Sequence, residues 1–301
     1  MTCDRDAQLA LWTVYELSYR GFAGVHAGRE WDPEVVALRL GLEDRFEGEL
    51  RDATRARVSA ELDVGGDVGD VVLRMARDAE GPNLSAFLRR EATRAQLVDF
   101  LRERSVQQLK ESDPQAFLVP RLTGAAKVAL AELQYDEFGA GRPATLHQQL
   151  YADALASSGL DPAYGAYVND VSAVSLASAN VMSLFCLNRR LLAAGVGHFA
   201  AFEASSSVPS RRIAAGLERV GLDGAVRYFD EHVEADAVHE QIAARDLCGA
   251  LVAGDPKAVN EVLFGAACTS YLDCLSGTEL MARWTGDTGP RDHQQTPVMA
   301  S

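Results

Sequence analysis

The 301-residue chain holds six histidines among 43 acidic residues, so the spacing of its imidazoles carries information. The run Phe229-Asp230-Glu231-His232-Val233-Glu234-Ala235-Asp236-Ala237-Val238-His239-Glu240 contains His-x-x-x-Asp-x-x-His. At about 100° per residue, Asp236 and His239 fall about 40° and −20° from His232, so two turns of helix present imidazole, carboxylate and imidazole on one face. A chain of this composition produces the pattern by chance about 0.02 times. Neutral imidazoles beside an anionic oxygen donor are what a non-haem metal centre requires. The bland alternative is a solvated helix face, and Glu231, Glu234 and Glu240 are consistent with it.

A dinuclear centre needs about six ligands, several of them carboxylates, so other inward-facing helices must contribute. One source is Ala131-Glu132-Leu133-Gln134-Tyr135-Asp136-Glu137-Phe138-Gly139-Ala140-Gly141-Arg142-Pro143, followed by His147. Glu137 and His147 would differ by about 80° on an unbroken helix. Gly139, Gly141 and Pro143 predict a break that re-aims both. The other source is Glu203, an acid at the end of the small, apolar run Gly197-His198-Phe199-Ala200-Ala201-Phe202, where a carboxylate needs a cation or a full set of donors. Arg211 or Arg212 could supply that partner instead, or grip a substrate carboxylate. Glu132, Asp136 and Glu111 compete with or supplement Glu137. His198 points about 140° away from Glu203 and reads as a packing histidine. His26 and His293 fall outside the constellation, and Met182, Phe185 and Leu187 read as core or pocket wall.

Ala, Leu, Glu and Arg at helical spacing dominate the elements that must carry these side chains. Helices are expected at about 5–24, 33–61, 84–110, 114–138, 144–158, 163–195, 197–206, 210–220, 223–252 and 255–285. Ser85 is a candidate cap, and Asp113-Pro114, Asp161-Pro162 and Asp255-Pro256 read as stops and restarts. Val64–Val72 is the nearest thing to a strand but reads as a Gly/Asp-rich loop. An all-α bundle follows. Gly65–Gly69 and Gly81–Leu84 are the best joints. They set off residues 1–80 as an N-terminal helical extension, 81–286 as the main domain and 287–301 as a polar, flexible tail.

A formal charge of −14 disfavours nucleic acid and anionic membrane surfaces. No apolar run approaches the length of a membrane span. The five scattered cysteines, with no CxxC, and the lack of a signal-like N-terminus predict a cytoplasmic chain with free thiols.

Over roughly residues 85–285 the chain resembles the haem-oxygenase-like diiron oxidases and oxygenases, the iron-containing redox enzymes. The phrases AELQYDEFGAGRPATLH, GHFAAFEASSSVPSRR and YFDEHVEADAVHE carry the likeness. The resemblance implies a haem-oxygenase-like bundle binding two irons in place of haem. Glu137, His147, Glu203, His232, Asp236 and His239 would then be the ligands, with O2 as co-substrate. It further implies a small organic substrate (an amine, amino acid or fatty acid), an external reductant and a possible homodimer. The gap of ten between Glu137 and His147 fits only some relatives, so the first carboxylate stays open. The rivals are a metal-free or haem-binding protein of the same architecture and a non-enzymatic binding protein with a degenerate site. A ferritin-like bundle would need two Glu-x-x-His pairs, and only Asp236-x-x-His239 comes near.

Overall fold

The computed structural model describes residues 1–286, except the side chains of residues 234–237. Its helices are α1 (Arg5–Glu16), α2 (Pro33–Val64), α3 (Val68–Arg77), α4 (Leu84–Arg90), α5 (Arg94–Gln108), α6 (Asp113–Ala116), α7 (Gly124–Glu137), α8 (His147–Ser157), α9 (Ala173–Leu187), α10 (Leu192–Arg219), α11 (Val226–Gln241), α12 (Gly249–Gly254) and α13 (Val259–Thr285). There is no strand among the described residues. The all-α, haem-oxygenase-like class expected from the sequence is the observed one. The tail 287–301, with His293, lies outside the described residues.

Helix α10 is the axis of the bundle, packed against α13, α11, α4, α3 and α9. The reason is compositional: Ala194-Gly195-Val196-Gly197 and Ala200-Ala201 are small, so neighbouring backbones approach closely. A Cβ on Gly197 would stand 1.9 Å from the Val262 carbonyl oxygen of α13. Gly197→Ala must therefore push the two helices apart. The expected cost is about 1–3 kcal/mol, or more if the backbones cannot shift, read as a lower denaturant midpoint; an unchanged midpoint would mean that the contact is soft. Helix α9 is buried from Val174 to Cys186, and its apolar side chains on every face suit such a position.

Residues 1–80 contribute α1, α2 and α3, which lie on α9, α13 and α10. Leu11, Tyr15, Phe46, Leu50 and Val72 belong to the same apolar cluster as Val196, Phe199 and Val262. Glu16 of α1 also forms a buried ion pair with Lys110 at 3.0 Å.

Several boundaries differ from the sequence reading, each for a local reason. Residues 68–72 are helical, because Asp67 caps α3 by accepting from the Gly69 and Asp70 amides. Asn83, not Ser85, caps α4. The expected helix 84–110 breaks before Arg94, where Thr93 and Gln96 form a reciprocal capping box that starts α5. Helix α9 begins only at Ala173, capped by Ser172, and Asp161-Pro162 starts no helix. Helix α10 runs unbroken through Pro209, so its packing against neighbouring helices along its length outweighs the lost backbone hydrogen bond.

Candidate metal centre

The break expected between Glu137 and His147 is present. Helix α7 ends at Glu137 and α8 starts at His147. Between them Gly139 (φ 74°) and Ala140 (φ 50°) are left-handed. A Cβ on Gly139 would come within 2.6 Å of the Leu146 amide nitrogen, so only glycine allows the chain to fold back this tightly. The turn brings His147 Nδ1 to 3.0 Å from Glu137 Oε2.

Helix α10 brings in Glu203, and α11 brings in His232 and His239. His239 Nδ1 lies 3.3 Å from Glu203 Oε2 and 3.7 Å from Glu137 Oε1. All five side chains are buried. Asp236 occupies the helical position between the two histidines, but its side chain lies outside the described residues.

A further carboxylate joins them. Glu111, in the turns after α5, places Oε1 3.4 Å from His232 Nε2 and is buried. Glu111 and Glu137 are thus both in the cluster. Of the other competitors, Glu132 is exposed. Asp136 sits behind His239, with Oδ2 3.2 Å from Nε2.

Two groups therefore have donor atoms close enough to share an ion: Glu111, His147 and His232, and Glu137, Glu203 and His239. They abut, because Glu137 reaches His147 of the first group with one oxygen and His239 of the second with the other. The rings of His147 and His232 are 4.6 Å apart.

Outer partners fix these side chains. His232 Nδ1–H donates to the Tyr228 carbonyl at 2.8 Å, which turns Nε2 inward. Asp136 does the same for His239, leaving Nδ1 facing the carboxylates. The Tyr228 hydroxyl donates to Glu111 Oε2 at 2.9 Å and accepts from Gln108 at 2.6 Å. Gln148 donates to the Glu111 backbone carbonyl at 2.7 Å. Ser112, left-handed at φ 64°, donates to Glu137 Oε2 at 3.0 Å. Sequence reasoning missed Tyr228, although it stands one turn before His232 at about −40° on the same stripe.

The chain matches the family described as iron-containing redox enzymes over residues 98–273. It belongs to that family. The matched span runs from α5 into α13 and includes every residue of both groups. A search of curated proteins found no match. The family carries iron-dependent redox function, and the buried imidazole–carboxylate set of this iron-containing redox enzyme fits a metal ion by its donor chemistry. His147 Nδ1 and Glu203 Oε2 are buried, lie near charged neighbours, and are not aligned for a hydrogen bond with them.

His198 joins neither group. It is buried edge-on against Phe185, 5.9 Å between ring centres, and burial alone pushes its pKa down to about 4. His198→Ala should leave the iron content unchanged and cost packing energy only; loss of iron, measured by elemental analysis, would mean that it holds the site. His26 is exposed and accepts from the Gly28 amide at 3.0 Å. Arg211 is exposed, whereas Arg212 donates to Asn83 and Ser85 at 3.2 Å.

Electrostatics in the metal-free chain shows how strongly the groups act on one another. Burial pushes Glu137 up, yet His147, His232 and His239 hold it down at about 2. Burial opposes protonation of His239, but Glu203, Glu137 and Asp136 raise it to about 9. Burial, reinforced by Glu137, raises Glu203. The His239 contribution to stability is fully present below the unfolded value of about 6.5 and is lost as pH rises through about 9. The Glu137 contribution is present above about 4.5 and is lost as pH falls through about 2. The metal-free chain should therefore melt progressively lower from about pH 6.5 to 9. The iron-loaded chain, with its imidazoles already deprotonated, should not. Calorimetry of both forms across that range checks this, and a flat metal-free curve would contradict it.

Two cavities adjoin the groups. One of about 370 Å³ is walled in part by His232, Tyr228, Gln108 and Phe202. The other, about 10 Å³, lies among Glu111, Glu137, Glu203 and Ser112 and has room for one water-sized guest. Gln108 and Phe202 line both. Met182 lines the smaller one, and Phe185 is buried core.

Proposed function

We infer that the chain is an O2-activating, non-haem diiron oxidase or oxygenase acting on a small organic substrate by N-oxygenation, desaturation or oxidative C–C cleavage. The observation that carries this reading is that the two buried donor groups abut through Glu137. Glu111, His147 and His232 would hold one iron, and Glu203 and His239 the other, with Glu137 between them. Asp236 would complete the set from its position on α11. Three carboxylates with Asp236 would bring four negative charges against the four positive charges of two Fe(II) ions, so the buried site would be neutral. Two Fe(II) ions bound there would supply the electrons that reduce O2, and an external reductant would return them.

The chain's own residues perform the remaining tasks. Asp136 and the Tyr228 carbonyl keep His239 and His232 in tautomers that aim a lone pair inward. Burial and neighbouring Glu111 hold the Tyr228 phenol protonated, so it remains a donor that fixes Glu111. Phe202 and Gln108 line both the small cavity, with room for one water-sized guest, and the large one, sized for an organic substrate.

The test is anaerobic loading with Fe(II), removal of free metal and mixing with O2. Uptake of about one O2 per iron pair is expected. Uptake no greater than that of a control without protein would overturn the reading.

A further inference from the structure

We propose that the N-terminal segment positions Glu111 for metal binding, through Glu16 clamped on Lys110 and through Arg20 acting by way of Gln148. The inference rests on the reading that Glu111, His147 and His232 hold one iron.

Glu111 sits in the turn between α5 and α6, where no helical period aims its side chain. The next residue, Ser112, is left-handed at φ 64° and donates to Glu137 Oε2. A residue with a side chain keeps that conformation only where its surroundings over-determine it. The preceding residue supplies one restraint. The Lys110 side chain is 1% accessible, and its ammonium lies 3.0 Å from Glu16 Oε2 of α1 and 4.1 Å over the Tyr19 ring. Glu16 is itself fixed, since the Tyr164 hydroxyl donates to Oε2 at 2.6 Å and the Arg20 amide to Oε1 at 3.2 Å. Arg20 supplies a second restraint. Its guanidinium lies 3.9 Å over the Tyr164 ring and donates to Gln148 Oε1 at 2.8 Å, and Gln148 donates to the Glu111 carbonyl at 2.7 Å. Gln148 follows His147, so both restraints end on or beside residues of one donor group.

Energetics indicates what the buried pair is for. Taking two charges out of water costs about as much as their attraction returns, so an apolar pair of similar size would hold α1 in place equally well. An ion pair adds direction, because few positions of the Lys110 ammonium satisfy Glu16, and each fixes the backbone next to Glu111. An apolar contact would let the turn slide. Glu16 and Arg20 precede the span 98–273 that matches the family, so the restraint comes from a part of this chain outside that span.

The test compares Glu16→Gln/Lys110→Met, which removes both charges and keeps most of the bulk, with Leu11→Ala, which opens the apolar contact of α1 and leaves the pair intact. After anaerobic Fe(II) loading and gel filtration the double variant should hold about one iron and the Leu11 variant about two, although the Leu11 variant should have the lower denaturant midpoint. In the metal-free double variant the amides of residues 109–113 should exchange hydrogen at least about tenfold faster than in the wild type. Two irons in the folded double variant, an equal loss of iron in Leu11→Ala, or an unchanged exchange rate at 109–113 would overturn the proposal. Should the double variant not fold, Arg20→Met decides, since the Arg20 side chain is 47% accessible and folding tolerates its loss. It should speed exchange of the same amides and weaken one of the two irons by about threefold, and no change in either would overturn the proposal. A wild type with two irons and a double variant with two irons defeats this inference alone. A wild type with none defeats the diiron reading, and exchange at 109–113 in the metal-free chain then still decides whether the N-terminal segment holds the turn.

Discussion

Glu137→Ala should empty the centre. Its two oxygens face His147 at 3.0 Å and His239 at 3.7 Å, so among the described side chains it is the carboxylate that joins the two donor groups. It is buried, and its charge is held in place by imidazoles from α8 and α11. Removing it leaves those imidazoles without their shared anion, a loss on the scale of a broken buried ion pair, about 3–5 kcal/mol or more than a hundredfold in affinity. Iron retained after gel filtration should fall below about a tenth of the wild-type level, and O2 uptake should fall with it. The helix content should persist, because Glu137 is the last residue of α7 and alanine is a good helix former. A variant that keeps its full iron would show that Glu137 is a structural ion-pair partner only.

Glu111→Ala should produce a different result, a chain holding about one iron. Glu111 belongs to the group with His147 and His232 and to no other. The Glu137, Glu203 and His239 donors remain intact without it. Glu132→Ala is the control, since Glu132 is exposed and should cost no iron. Elemental analysis of the three proteins side by side decides it: loss at Glu132 together with retention at Glu111 would reverse the assignment.

These two variants also mark what could be read from the sequence. His232 and His239 were legible because a helix converts spacing into direction, and four-plus-three spacing puts both on one face. The Glu137–His147 pair was legible through its punctuation, since Gly139, Gly141 and Pro143 in close succession disfavour a continuous helix, and a left-handed turn is observed there. Glu203 stood out as an acid in an apolar run. Glu111 was legible only as one alternative among several, because it sits in turns beyond α5, where no helical period gives direction. Its orientation comes from tertiary contacts with Tyr228 and Gln148, which lie 117 and 37 residues away in sequence.

The same distinction holds for the fold. The all-α class followed from helical periodicity, whereas the limits of α9 and the passage of α10 through Pro209 depended on what packs around them. The contribution of residues 1–80 to the common apolar core is tertiary in the same sense. The Glu16–Lys110 pair extends that contribution to the residue next to Glu111. No helix among the described residues is long and apolar enough to cross a membrane.

The central claim is that side chains from four stretches of the chain hold two metal ions at one buried point. Its most direct test is the iron content of the wild-type chain after anaerobic Fe(II) loading and removal of free metal. The account predicts about two irons per chain; fewer than about 0.2 would contradict it.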